Sequence, residues 1–329
     1  MLTELKKSVT MKFEILSKMF KTYPLSLAGI VMILSFAVIA LLAPILAPPT
    51  SSNPYICPYS GPPEQADFSG ILPPPTLPSS EHPFGTMHGY DVYYGCIWGV
   101  RTAFRISILT TFITLAIGLV IGSFAGYLEG LVDEFLMRFT DAFFALPGLL
   151  YVMLIVMALP LQWKLNLGSL NLTIALSGFD RIILALAIIG WPPYARLIRG
   201  EIKKVKEQDF VEAAKAIGCS KLRVLTRHIL PNSIDSVLSL AFLNIGGVIL
   251  ATSTVSFLGF GPGISYAEWG TIIANGRSLL VFTTADASQF VVLLLIPGAF
   301  LSAFVLGWSL LGDALRTIMD PVLARRMGA

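Results

Sequence analysis

Glu212-Ala213-Ala214-Lys215-Ala216-Ile217-Gly218, with Leu230-Pro231 twelve residues on, lies in a charged segment between two hydrophobic spans. The chemistry such residues can do is docking. Gly218 breaks the run, as a residue free to take φ > 0 would after a helix. Phe210, Ala214 and Ile217 fall at i, i+4 and i+7, which predicts one apolar helical face. A second short helix should carry Leu222, Leu225 and Ile229 on one side and stop at Pro231. The expected product is a helix–turn–helix lug standing out of a bilayer, a place where a partner can push. Two plainer roles compete: Glu212 as a first-turn acid on its own helix dipole, and His228 hydrogen-bonded within the loop.

Other chemistry is hard to find. There is no G-x-x-x-x-G-K-[ST] phosphate loop and no H-E-x-x-H, and His82, His88 and His228 are expected on opposite membrane faces, so no metal site and no cofactor is assigned to this chain. Gly259, Gly261 and Gly263 follow a membrane span instead of a strand, which argues against a nucleotide site. No run of Asp, Glu or His inside a span marks an ion relay, which counts against a channel or self-powered carrier. No nucleophile–base pair supports a membrane hydrolase, so the chain reads as a non-enzyme. Cys57 and Cys96 flank a long polar loop. If that loop is outside the cell they could pair, closing about 40 residues for roughly 3–4 kcal/mol, or they could be two unpaired small hydrophobes.

The elements that must position the lug are membrane helices. Of 329 residues, 55% are hydrophobic and 13% charged, against about 25% charge in a soluble domain. A net charge of +3 gives no reason to expect nucleic acid. A hydrocarbon core of about 30 Å needs about 20 helical residues, and six stretches approach that: Leu25–Ala47, Ile106–Leu128, Ala142–Leu161, Ile182–Ile198, Val237–Leu258 and Phe290–Leu311. The fourth is interrupted by Trp191-Pro192-Pro193 and either leans on flanking arginines or begins upstream near Leu170. With the N-terminus inside, eighteen of the 23 Lys and Arg fall on inner segments and five on outer ones, as the positive-inside rule requires.

This divides the chain into an inner segment 1–24, a first span 25–47, an outer Pro-rich loop 48–104, a membrane core 105–311 containing the inner loop 199–233, and an inner tail 312–329. The first span is too long for a signal peptide, and no small-residue cleavage site follows it. The outer loop ends at Tyr90–Ile106, whose aromatics suit the interface. Glu268 to Leu280 has the length of a short surface helix after the Gly259–Gly263 turn. Gly118, Gly122 and Gly126 form a small-residue stripe that reads as helix packing. Arg138 and Asp141 read as an intrahelical pair, and Asn232 or Ser233 with Asp235 as the cap and first turn of the fifth span. Lys6 to Lys21, interleaved with Phe13, Ile15, Leu16 and Phe20, could lie on anionic lipid or simply set orientation.

Glu212, Ala213, Ala214, Gly218, Leu230 and Pro231 resemble, at their spacing, the cytoplasmic loop of the permease subunits of ATP-binding cassette (ABC) importers. Arg227-His228-Ile229-Leu230-Pro231-Asn232 is similar to the dipeptide, oligopeptide and nickel branch. Glu81-His82-Pro83-Phe84-Gly85-Thr86, Ser256-Phe257-Leu258-Gly259-Phe260-Gly261 with Trp269-Gly270, and Leu311-Gly312-Asp313-Ala314-Leu315-Arg316 with Asp320-Pro321 extend the likeness from about residue 20 to the end. The chain looks like the second permease of such a pair, with a long loop after the first span. Met87, Tyr90 and a longer segment from Trp163 to Asp180 depart from the pattern.

The resemblance implies an all-α integral membrane protein with six transmembrane helices of the type I importer kind, a cytoplasmic coupling-helix loop and both termini inside the plasma or inner membrane. It implies four kinds of partner: a second homologous permease subunit, two cytoplasmic ABC ATPases carrying ATP and Mg, an extracytoplasmic substrate-binding protein, and membrane lipid. Glu212, Ala213, Ala214, Ile217, Gly218, His228, Leu230 and Pro231 would be the ATPase-coupling residues. Short peptides are the implied cargo, with oligosaccharides or nickel as alternatives on the same machinery.

Overall fold

The structure is a computed structural model that describes residues 24–48, 75–88, 90–145, 147–160, 162–167, 170–263, 266–282 and 291–319. The expected interfacial helix at Lys6–Lys21, the Pro-rich stretch through residue 74 and Cys57 lie outside these residues. Apolar helices dominate because a chain without water on its flanks must satisfy its backbone internally. They are α1 (Pro24–Leu46), α2 (Val92–Leu128), α3 (Gly130–Phe144), α4 (Gly148–Ala158), α5 (Gly178–Gly190), α6 (Pro192–Lys206), α7 (Asp209–Ala216), α8 (Lys221–Val224), α9 (Asp235–Val255), α10 (Trp269–Phe282) and α11 (Val291–Met319). Five spans are long and apolar enough to cross a membrane, and α3 with α4 makes a sixth if the bent pair is one span.

Several boundaries differ from the expectation, each for a local reason. The second helix begins at Val92, within the stretch 48–104 expected as outer loop. Asp91 caps the new start by accepting from the Tyr93 amide at 2.8 Å, while Arg101 and Arg105, which had masked the helix in hydropathy, reach polar or aromatic partners from its sides. At ~1.5 Å per residue α2 is about 55 Å long and overruns the hydrocarbon on at least one side. The third span is not one helix over Ala142–Leu161, because α3 and α4 meet at 88° before Pro147.

The fourth span starts at Gly178 under a Ser177–Asp180 capping box and runs through α6 to Lys206. The alternative start near Leu170 is a strand instead, since β3 (Gln162–Leu167) and β4 (Leu170–Ala175) pair as an antiparallel hairpin. A second, smaller hairpin joins β1 (Thr86–Met87) to β2 (Tyr90–Asp91). The last span continues to Met319, so the tail expected from residue 312 is helical over its first turns. Ser233 does not cap α9: its hydroxyl bonds back to the Ile229 carbonyl, and the Asn232 amide bonds to that of His228.

The largest packed region gathers aromatic rings from four helices and the segment before α2. Phe36 of α1, Phe104 of α2, Trp269 of α10 and Phe300, Phe304 and Trp308 of α11 meet mostly edge to face, with Phe84 at the margin. Trp98 donates to the Ala47 carbonyl at 2.9 Å, tying the end of α1 to α2. The segment expected as a surface helix is partly interior. Trp269 and Ile272 of α10 are buried, and Glu268, also buried, accepts from Ser253 of α9 and from the first amides of α10. Glu268 thus caps one helix and fastens it to another. Cys96 is a free thiol buried inside α2.

Candidate coupling surface

The lug forms as two short helices at the end of α6. Helix α7 stops at Gly218, whose φ of +81° no side-chain-bearing residue adopts readily. Then α8 passes through a wide turn (Leu225–Ile229) into a tight one (Leu230–Asn232) that holds Pro231. Residues 199–206, assigned to the loop by sequence, belong to α6, so the loop proper begins at Glu207.

The side of α7 turned to the chain is not the one expected. Val211 and Ala214 are buried, whereas Phe210 is 44% and Ile217 81% exposed. Successive helical residues step by about 100°, so the four apolar positions make one broad stripe, and the core takes only the Val211 edge. The same split occurs beyond the turn, where Val224, Leu225 and Ile229 are buried and Leu222 stays out. Glu212 and Ala213 face solvent, and His228 and Leu230 are half-buried. The result is a lug whose underside, with Ile198, Ile202 and Val237, is a sealed apolar cluster, and whose far side shows Phe210, Ile217, Leu222 and Glu212 to no other part of the described chain.

The stem, α6, is gripped on two faces. Gly118, Gly122 and Gly126 of α2 lie under Tyr194, Ala195, Ile198 and Ile202. An added methyl at Gly122 would come within 2.3 Å of both the Ala195 carbonyl and the Ile198 side chain. The glycine stripe is therefore a packing seam. Across α6 run Arg196, Arg199, Lys203 and Lys206, spaced three, four and three, against acids of α3 in antiparallel order. Lys206 reaches Glu129 at 2.8 Å, Lys203 reaches Asp133 at 2.7 Å, Arg199 holds both oxygens of Asp133, and Arg196 meets Asp141. Arg138 does not pair with Asp141, as sequence had suggested, but with Glu134 one turn earlier, at 2.5 Å.

Sequence reasoning counted these four cations only as orientation charge. Their spacing was the signal that they share a face. Lys206 also holds the Glu129 carboxyl below its usual range by direct hydrogen bonding. Among the described residues no group of three or more His, Cys, Asp and Glu is placed to hold a metal ion.

The sequence profile described as "binding-protein-dependent transport system inner membrane component" matches residues 118–325, which covers the end of α2 from Gly118 on, α3 to α11 and the lug. The chain belongs to this family. It is 31% identical to a glutathione transport system permease protein of Shigella flexneri serotype 5b, over 92% of this chain and 88% of that protein. It is 28% identical to an oligopeptide transport system permease protein of Bacillus subtilis, over 93% of this chain and 88% of that protein. It is thus a multi-pass permease component of a binding-protein-dependent transport system, as its recognised motifs had implied.

Proposed function

We propose that this permease forms half of a translocation pathway for short peptides and is driven by ATPases through the lug. The two named relatives are permease proteins of an oligopeptide and a glutathione transport system, and both align with nearly the whole chain. A second, homologous permease would complete the pathway, since six spans supply only one wall. An extracytoplasmic binding protein would deliver the cargo. ATP and Mg would sit on two cytoplasmic ATPases, with none on this chain. The lug and both termini would then be cytoplasmic in a plasma or inner membrane, the orientation favoured by the Lys and Arg distribution.

The observation that carries the reading is the two-sided lug, sealed beneath by its own apolar cluster, with Phe210, Ile217 and Leu222 exposed above beside the charged Asp209, Glu212 and Lys215. Such a surface fits a groove with a basic residue opposite Glu212. Ala213 allows close approach, and Gly218 sets the angle between the short helices. Closure of the ATPases would rock the permease pair between two arrangements. The test is Glu212→Arg beside Gly218→Pro in the assembled transporter. Proline cannot take the φ of +81° found at residue 218. Both variants should insert normally and still allow ATP hydrolysis while uptake of a labelled tripeptide collapses. Normal uptake in both overturns the reading.

A further inference from the structure

Helix α3 is held to the rest of the chain in an unusual way. Of its fifteen residues only Asp133 and Thr140 are buried. Leu131 is 84% and Phe135 70% exposed, on faces that no described part of this chain covers. No apolar side chain of α3 is buried, so its attachment to the stem falls to the ion pairs already described and to Phe139 and Phe143, which meet Trp191 at 5.9 and 5.2 Å between ring centroids. Asp133 is the centre of the attachment. Its side chain is 10% exposed and accepts from two cations four residues apart on α6, so both carboxylate oxygens are engaged. Beyond the 88° bend, α4 packs differently. Val152 and Val156 join Ile182 and Ala185 of α5 in a small apolar cluster. The bent span is therefore fastened to the straight one twice, by charge near the lug and by apolar contact away from it.

We propose that Asp133, with Arg199 and Lys203, is a positioning residue for transport: an ionic clasp through which the stem of the lug carries α3 with it. The proposal rests on the reading of the lug as the point of drive. A push on α7 moves α6. Because α3 has no buried apolar side chain of its own, the doubly held carboxylate is the most buried tie by which it follows α6; the end pairs and the rings on Trp191 and Arg196 are more exposed. The pairs Glu129–Lys206 and Asp141–Arg196 fix the register at the two ends and are more exposed. Loss of the central acid leaves two partly buried cations without their counter-charge, and the seam opens where it is deepest.

The experiment uses the complete transporter, with its partner permease, ATPases and binding protein, in proteoliposomes. Spin labels are placed at Leu131 of α3 or at Lys221 of the lug, each paired with a reference label at Leu25 of α1, in a chain whose three native cysteines are alanine. Distances are read with ADP and with ATP trapped by vanadate. Asp133→Asn should keep the nucleotide-dependent shift at Lys221, abolish it at Leu131, and lower uptake of a labelled tripeptide about tenfold while ATP hydrolysis stays within about twofold. Asp133→Glu, which returns a carboxylate to the same two cations, should keep both the Leu131 shift and most of the uptake, which separates loss of the charge from loss of the native side chain. An unchanged shift at Leu131 in Asp133→Asn, or an Asp133→Glu variant as defective as Asp133→Asn in both readouts, overturns the clasp. Absence of any shift at Lys221 in the unmutated complex overturns the reading of the lug itself, a separate and recognisable result.

Discussion

One face of α6 is closed by shape and the face beside it by charge, although both join the same stem to a neighbouring helix. Against α2, three glycines remove their side chains so that Tyr194, Ala195, Ile198 and Ile202 can sit on bare backbone. The gain is close dispersion contact, which neither salt nor pH disturbs. Against α3, four cations meet three acids, and the contact depends on ionisation and geometry. A shape-closed seam tolerates no added atom but is indifferent to solvent. A charge-closed seam tolerates changes of size but not of sign. Modest perturbations should therefore loosen the stem from α3 while leaving it fixed to α2.

The comparison is broken most severely at Gly122. Leucine there would drive a side chain into the Ala195 carbonyl and Ile198, with no flexible end to move aside. We expect a loss above about 3 kcal/mol, seen as collapse of the monodisperse peak in detergent or a large fall in melting temperature. Gly200→Ala, on the same stem with nothing within 4 Å, should cost nothing and gain slightly in helix propensity. Equal damage from both changes would remove shape as the cause.

A smaller effect is expected at a hydrogen bond between α6 and α9. Asn244 donates to the Tyr194 hydroxyl at 3.0 Å, beside the glycine stripe. Tyr194→Phe keeps the packed ring and removes the acceptor, so it should lower stability by about 1 kcal/mol, the scale of a hydrogen bond between membrane helices. Calorimetry in a fixed detergent measures it. A loss near that of Gly122→Leu would mean that polar contact, not shape, closes this seam too.

What could be read from the sequence follows the same division. The glycine stripe was legible because residues four apart on one helix must share a face, and no partner need be known to see it. The lug was legible because Gly218 and Pro231 punctuate it locally. The ionic seam was not, since Asp133 and Arg199 are 66 residues apart and only the fold brings them together. Arg138 was assigned to Asp141 on spacing alone, whereas Asp141 had a cation across the seam and Arg138 had Glu134 at the equally near i−4 position. The start of α2 was hidden for another reason. Arg101 and Arg105 lower its hydropathy, yet a helix that overruns the hydrocarbon has room for charges at its end. Burial of Glu268 was illegible because a carboxylate capping a helix inside the protein has the same local sequence as one capping it in water.

The least effect should come from the outermost rung. Glu129 is largely in solvent, and its partner Lys206 also reaches the Tyr127 carbonyl and ring, so it keeps other contacts when the acid is neutralised. Glu129→Gln should leave uptake unchanged and lower the melting temperature only slightly near neutral pH. The sign of any pH dependence is nevertheless fixed. Lys206 lowers the carboxyl's affinity for protons in the folded chain, so the pair contributes above the ordinary glutamate value and is lost as pH falls through the lower folded one. Wild type should therefore lose a small increment of stability on the acid side that the Gln variant never had, and the two melting curves should converge as pH falls below about 4. Divergence in that direction, with the variant falling faster in acid, would show that Glu129 is not held by Lys206 and that the charge-closed seam ends at Asp133.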